Sequence, residues 1–430
     1  MWLALGALCA LAACSSRDEI LQGDREALGL SSFDVAEIEN RAVPFAASAP
    51  TANAQWTHPG GSALHRIGNA AFSATPVQVW SSNIGAGEGR RQRITALPVV
   101  ADGRIFTADA DGIVTATNTA GAELWRKNLT PSLERAGQGG SHGLAYGGSA
   151  LYVNSGFGEV AALDPATGDI LWSQDIDAQG GGSPTYFDGR VYVASRDSVG
   201  WAINAETGRV DWQLSGTPSA SGYQSAAGPA VTSDLVIFPF ASGELQAVFR
   251  LGGLQRWNAT ILGGRDGAAY AQISDLAADP VVAGNRIFAA NPAGRLVALD
   301  LGTGSRLWTA RIGALETPVV AGGSVFLVSD QNALTRVDAN TGEVIWSRQL
   351  ALYKEDRDRR RKTVFAQRGP VLAGGRLWLA SSDGALKAFD PANGALLQEL
   401  PIQSGAATAP VVAGGTMYVV SRRGQLIAFR

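Results

Sequence analysis

The chain has 430 residues, 17% of them charged and 46% hydrophobic, with a formal net charge of -3 at pH 7. A near-neutral balance offers no electrostatic footprint for nucleic acid, so no nucleic-acid partner is expected. The only cysteines are Cys9 and Cys14, which leaves the body of the chain without a disulfide or a thiolate metal site, and a body of this length buries a large core without either.

Residues 1–13, MWLALGALCALAA, are uncharged and apolar or small. The run is too short for a membrane span and has the length of the apolar part of a secretory signal peptide. It ends in Leu11-Ala12-Ala13-Cys14, which resembles the lipobox of bacterial lipoproteins. That resemblance implies cleavage before Cys14 and acylation of its thiol, palmitate being the expected type of lipid. Ser15 at the next position implies sorting to the outer membrane. Residues 14–55 then read as the acylated cysteine and a tether. Between residues 15 and 55 seven acids face three arginines, so the tether carries four negative charges and the rest of the chain one positive. The Ala/Pro/Ser/Thr/Asn run over 46–54 has little to bury and reads as flexible.

Residues 56–430 are built from one unit, clearest over 279–308, DPVVAGNRIFAANPAGRLVALDLGTGSRLW. Three short β-branched and apolar runs and the start of a fourth are separated by Gly, Asn and Asp turn signals, as antiparallel hairpins require. Copies open at Pro98, Leu144, Pro184, Pro229, Pro280, Pro318, Pro370 and Pro410. Their spacing averages about 45 residues, which fits four-stranded propeller blades. Copies from the first to the sixth end in Trp125, Trp172, Trp212, Trp257, Trp308 and Trp346, whereas the seventh has Gln398 there. The eighth runs out after its third strand, GQLIAF, while 77–80 is an orphan strand ending in Trp80. The expectation is an all-β, eight-bladed β-propeller whose last blade is closed by an N-terminal strand, leaving no open edge between blades.

The repeated tryptophans read as wedges between blades, each contributing about 1.5–3 kcal/mol by burial. The turn glycines Gly168, Gly208, Gly304, Gly342 and Gly394 supply backbone freedom and not a phosphate cradle. Of three histidines, His58 and His65 precede the first repeat, and His142 reads as a solvated residue of the loop GQGGSHG. None has metal-ligand spacing. The long connections after Trp125, Trp212, Trp257 and Trp346 all join an outer strand to the next inner strand, so they emerge on one face, where recognition is expected. The charged loop 353–362, YKEDRDRRRK, reads as solvated, with contact to acidic partners or lipid headgroups as the functional alternative.

The repeat cores AALDPATGDILW, VALDLGTGSRLW and TRVDANTGEVIW resemble the repeat of pyrroloquinoline-quinone enzymes, which implies the propeller fold over roughly residues 77–429. Quinoprotein dehydrogenases of that fold imply a vicinal disulfide and a calcium ion beside an aspartate, and the sequence shows neither a cysteine pair nor an acidic cluster for them. With the lipobox, the segment Ile20-Leu21-x-Gly23-x-Arg25 and the loop AQISDLAADP over 271–280, the chain resembles the BamB family of outer-membrane assembly lipoproteins. The resemblance implies a non-catalytic scaffold of the outer-membrane β-barrel assembly (BAM) complex, without cofactor or metal, lipid-anchored on the periplasmic side. The implied partners are a POTRA domain of BamA, the other BAM subunits and unfolded outer-membrane protein clients.

The implied docking surface is the loop 271–280 with the loop PSASGYQS over 218–225. Asp275, flanked by Ser274 and Leu276, matches the first of two family acids, and Ala277 stands at the second. Ala220, Gly222 and Tyr223 stand where the family has two apolar residues and a basic one. The competing expectation is a periplasmic quinoprotein-like enzyme or small-molecule binder that uses the axial channel. A polar, cation-lined channel favours the binder, a narrow one the scaffold.

Overall fold

Narrow antiparallel sheets with apolar residues on both faces are stable only when stacked between neighbours, and the structure stacks eight of them. The computed structural model describes residues 40–430 apart from 91, 136, 140, 181, 220, 224, 225, 266–272, 356, 358–360 and 362. Each of the first seven blades takes four consecutive strands, as in Val281–Ala283, Arg286–Asn291, Arg295–Asp300 and Arg306–Ala310 of the fifth. The eighth orders Val411–Ala413, Thr416–Val420 and Gln425–Phe429 from the axis outward and adds Gln78–Asn83 as its outermost strand. Trp80 lies opposite Ala428, and Ser82 opposite Leu426. The ring is thus the eight-bladed propeller expected, closed by the N-terminal strand.

Second and third strands are buried on both faces because each blade is sandwiched between two others. Phe288, Leu296 and Trp308 of the fifth blade, for example, share a core with Val325 and Leu327 of the sixth. Fourth strands form the rim and alternate exposed with half-buried residues. Each carries a register shift beside the repeat tryptophan position, as between Ala298 and Leu299 opposite Trp308. A bulge turns the preceding residue outward and aims the indole at the next blade, which accounts for rim leucines such as Leu124, Leu171 and Leu307 being exposed.

Every rim tryptophan docks in the same way. Trp257 Nε1 donates to the Leu301 carbonyl of the next blade at 2.9 Å, and its ring covers Gly304, where a Cβ would come within 2.6 Å of the indole. With φ at +70°, Gly304 meets both a conformational and a spatial demand for glycine. The same bond runs from Trp80, Trp125, Trp172, Trp212, Trp308 and Trp346 to the corresponding turn of the following blade. The eighth junction explains Gln398. A tryptophan there would need the turn between the third and fourth strands of the eighth blade, and no turn joins those strands because the fourth comes from residues 78–83. Gln398 instead accepts from Arg376 Nη1 at 3.3 Å.

The inner end of the ring holds an element that the repeat pattern does not announce. Inner strands present an unpaired backbone edge to the axis, which must find partners if buried. Residues 53–70 supply them in a circuit. Asn53 O accepts from Gly414 N and its side chain donates to Val412 O. Trp56 pairs in both directions with Val100, and Thr57 O accepts from Tyr146 N. Tyr186 N donates to His58 Nε2 at 3.0 Å, Val231 N to Ala63 O and Val282 N to Leu64 O. Arg66 Nε donates to Val320 O and Ala70 N to Leu372 O. The blade residues, from 100 to 412, occupy the third position of all eight repeats. Gly60, at φ +61°, makes the tight corner of this belt, where a Cβ would lie 2.2 Å from His65 O.

Residues 40–55, assigned to the tether by composition, run along the disc in this structure. Arg41 N bonds Ile345 O and Asn40 Oδ1 accepts from Ser347 N at the rim of the sixth blade. Phe45 stacks edge-on against Phe326, and Thr51 pairs with Asn69 and Ala71. The 46–54 run is thereby held by backbone bonds, which composition does not report.

Candidate docking face and axial chamber

In an antiparallel blade the turn between the second and third strands lies on the same face as the exit from the fourth. The long connections over 129–142, 216–229, 261–280 and 350–366 therefore share one face, while the belt lies at the other, beside the turns that hold Asp102, Gly374 and Gly414. The disc has a belted face and a looped face.

On the looped face the structure brings Gly222, Tyr223 and Asp275 together. Asp275 Oδ2 accepts from Tyr223 N at 2.6 Å, and a Cβ on Gly222 would lie 2.8 Å from both that oxygen and Arg196 Nη1. Burial pushes the Asp275 carboxyl up, opposed by the Tyr223 N–H and the Arg196 guanidinium. Asp275 is only 2% exposed and Leu276 1%, the latter packed in the core with Ile261 and Trp257. Asp275 thus pins one loop to the other from within, while among the described residues of the two loops Tyr223 and Ser274 are half-buried and Leu262 is exposed. Ala220 lies outside the described residues, as do Cys14, the lipobox and the 20–25 segment.

Two further anchors of these loops escape sequence reasoning. Asp279 accepts from Gly228 N at 2.7 Å and from Thr317 Oγ1 at 2.6 Å, tying the connections before the fourth and fifth blades to the start of the sixth. Arg265 holds Asp330 through Nε at 2.5 Å and Nη2 at 3.1 Å. Both acids sit at ordinary turn positions, and only the D-P step at 279–280 hints at a fixed corner.

His142 is not solvated. It is 4% exposed, its ring lies 6.1 Å from that of Phe157, and Nδ1 accepts from Gly156 N at 3.3 Å. Burial lowers its pKa to about 4. Gly112 of a neighbouring turn packs against the ring, where a Cβ would lie 2.9 Å from the imidazole, a contact that a reading of the loop glycines as solvent-facing misses.

Between the loops and the belt lies an axial chamber of about 270 Å³, with Arg93, His142, Tyr223, Asp279, Glu316 and Arg368 on its wall. Its charged groups are engaged within the chain. Arg368 pairs with Glu316 at 2.7 Å, Arg93 Nη1 donates to the carbonyls of Gly89 and Gln92, and Asp279 is bonded as above. Among the described residues no group of three or more His, Cys, Asp or Glu is placed to hold a metal ion. With its carboxylates already bonded, this wall does not offer the donor set of a calcium-quinone centre.

The comparisons bear on the same architecture. The family model for the outer membrane protein assembly factor BamB matches residues 110–348 and 354–430. BamB of Yersinia pestis is 27% identical over 246 residues, 56% of this chain and 62% of the relative. BamB of Escherichia coli (strain K12) is 25% identical over 247 residues, again 62% of its length, so the chain spans somewhat under two thirds of these relatives. The crystal structure of BamB from Moraxella catarrhalis aligns with a TM-score of 0.68 at 18% identity, covering 83% of this chain and all of that one. The quinohemoprotein alcohol dehydrogenase of Comamonas testosteroni aligns at 0.65 and 16% identity, covering 87% and 80%, so fold similarity by itself does not separate the two classes. The family model does: the chain belongs to the BamB family of outer membrane protein assembly factors.

Proposed function

We propose that the chain is a non-catalytic scaffold of the outer-membrane β-barrel assembly machinery, held to the membrane by a lipid on Cys14. Its looped face docks a folded domain of a partner subunit, a POTRA domain of BamA by the family resemblance. The observation that carries this reading is the pair of long loops locked to each other by Asp275 and Tyr223 on a disc closed at rim and axis. Rigid loops bind without a large ordering cost, and a scaffold that holds a partner beside other subunits and incoming chains raises their effective concentration.

The test is capture of the purified periplasmic domains of BamA by the mature chain, with Tyr223→Ala and Asp275→Ala beside it. Capture by the parent, weakened at least about tenfold in Asp275→Ala while circular dichroism is unchanged, supports the reading; tenfold corresponds to about 1.4 kcal/mol. A folded parent that captures none of these domains overturns it.

A further inference from the structure

The belt and the inner strands of the sixth, seventh and eighth blades bound a second, smaller cavity of about 50 Å³ on the axis, with Trp56 and His65 on its wall. Trp56 is 2% exposed and His65 1%, and each leaves one ring nitrogen, Trp56 Nε1 and His65 Nε2, without a partner in the protein. Their chemical characters are complementary. Indole Nε1–H only donates. His65 Nδ1 lies 2.9 Å from the Pro280 carbonyl, which only accepts, so Nδ1 carries the proton. Burial lowers the His65 pKa against the opposing Asp279 carboxylate and Pro280 carbonyl, which favours the neutral ring, and in that form Nε2 holds a lone pair. Two residues that line one cavity thus hold a buried donor and a buried acceptor, and buried polar groups are rarely left unpaired. The volume exceeds the 10–15 Å³ or so that one water needs.

We propose that this hub is a binding site for ordered water, which accepts from Trp56 Nε1–H and donates to His65 Nε2. The two residues lie on either side of the belt corner at Gly60, so the water fastens both arms of the belt over the axis. A crystal structure of the full chain is expected to show water density within hydrogen-bond distance of each nitrogen. Ordered Trp56 and His65 side chains with no water density at their ring nitrogens overturn the proposal. In solution, the ¹⁵N-tryptophan-labelled chain gives signals from 11 indoles, and Trp56→Phe identifies its own by removing it. A water-selective cross-relaxation peak at that signal is expected, and its absence also overturns the proposal. The crystallographic arm stands if Trp56→Phe fails to fold.

Discussion

The rim and the hub of this propeller meet the same requirement by different means. At the rim, seven of the eight junctions are latched by a side chain, an indole reaching over a turn glycine to a backbone carbonyl. At the hub, the blades are latched by backbone, one segment bonding the third residue of every repeat in turn. Side-chain latching demands the same residue types at junction after junction, seven times here, and so writes a period into the sequence. Backbone latching accepts almost any residue, and it writes nothing.

Breaking the hub is expected to cost most. Trp56→Ala removes a buried ring from the belt, and a loss of about 3–5 kcal/mol is expected, read as a fall in the urea midpoint. A loss below about 1 kcal/mol would mean that the belt is dispensable to the ring.

Acid probes the same element without mutation. Burial, with His65 adding to it, holds the His58 pKa down from 6.5 to about 3. Between those values the unfolded chain binds the proton and the folded chain does not, so this contribution to stability is intact above pH 6.5 and is lost progressively as pH falls toward 3. The slope for one such group is at most about 1.4 kcal/mol per pH unit, and His142 acts in the same sense. Urea midpoints that stay level from pH 7 to 4.5 would contradict it.

The rim is tested by Gly304→Ala, which places a methyl group against Trp257 at a positive φ. The backbone conformation alone costs about 1–2 kcal/mol, with the displaced indole adding to it; an unchanged thermal midpoint would show that the glycine is not a seat for the ring. The smallest effect is expected where consensus reasoning predicts a gain. Gln398→Trp restores the repeat residue at a junction that lacks the receiving turn, so stability should change by less than about 0.5 kcal/mol. A clear stabilisation would mean that some other group seats the indole.

The candidate site divides along the same line. That long loops cluster on one face was legible, because strand count and connection length fix which end of a blade a loop leaves from. The pairing of Asp275 with Tyr223 was not, since the two residues are remote in sequence and meet through a carboxylate and a backbone N–H. Nor was the burial of Asp275 and Leu276, which takes both out of the surface the loops present. His142 misled for a related reason: glycine marks where a chain can bend, and only packing decides whether the bend faces water or a phenylalanine.

By itself the sequence determined the blade count, the four-stranded unit, the closing strand and the rim latch, because these rest on local strand propensity and on residues that recur. Tertiary structure alone decided the belt, the engagement of the chamber's charges and the empty seat beside Gln398. Each of these depends on which backbone groups the closed ring leaves without partners, a quantity that exists only once all eight blades are in place.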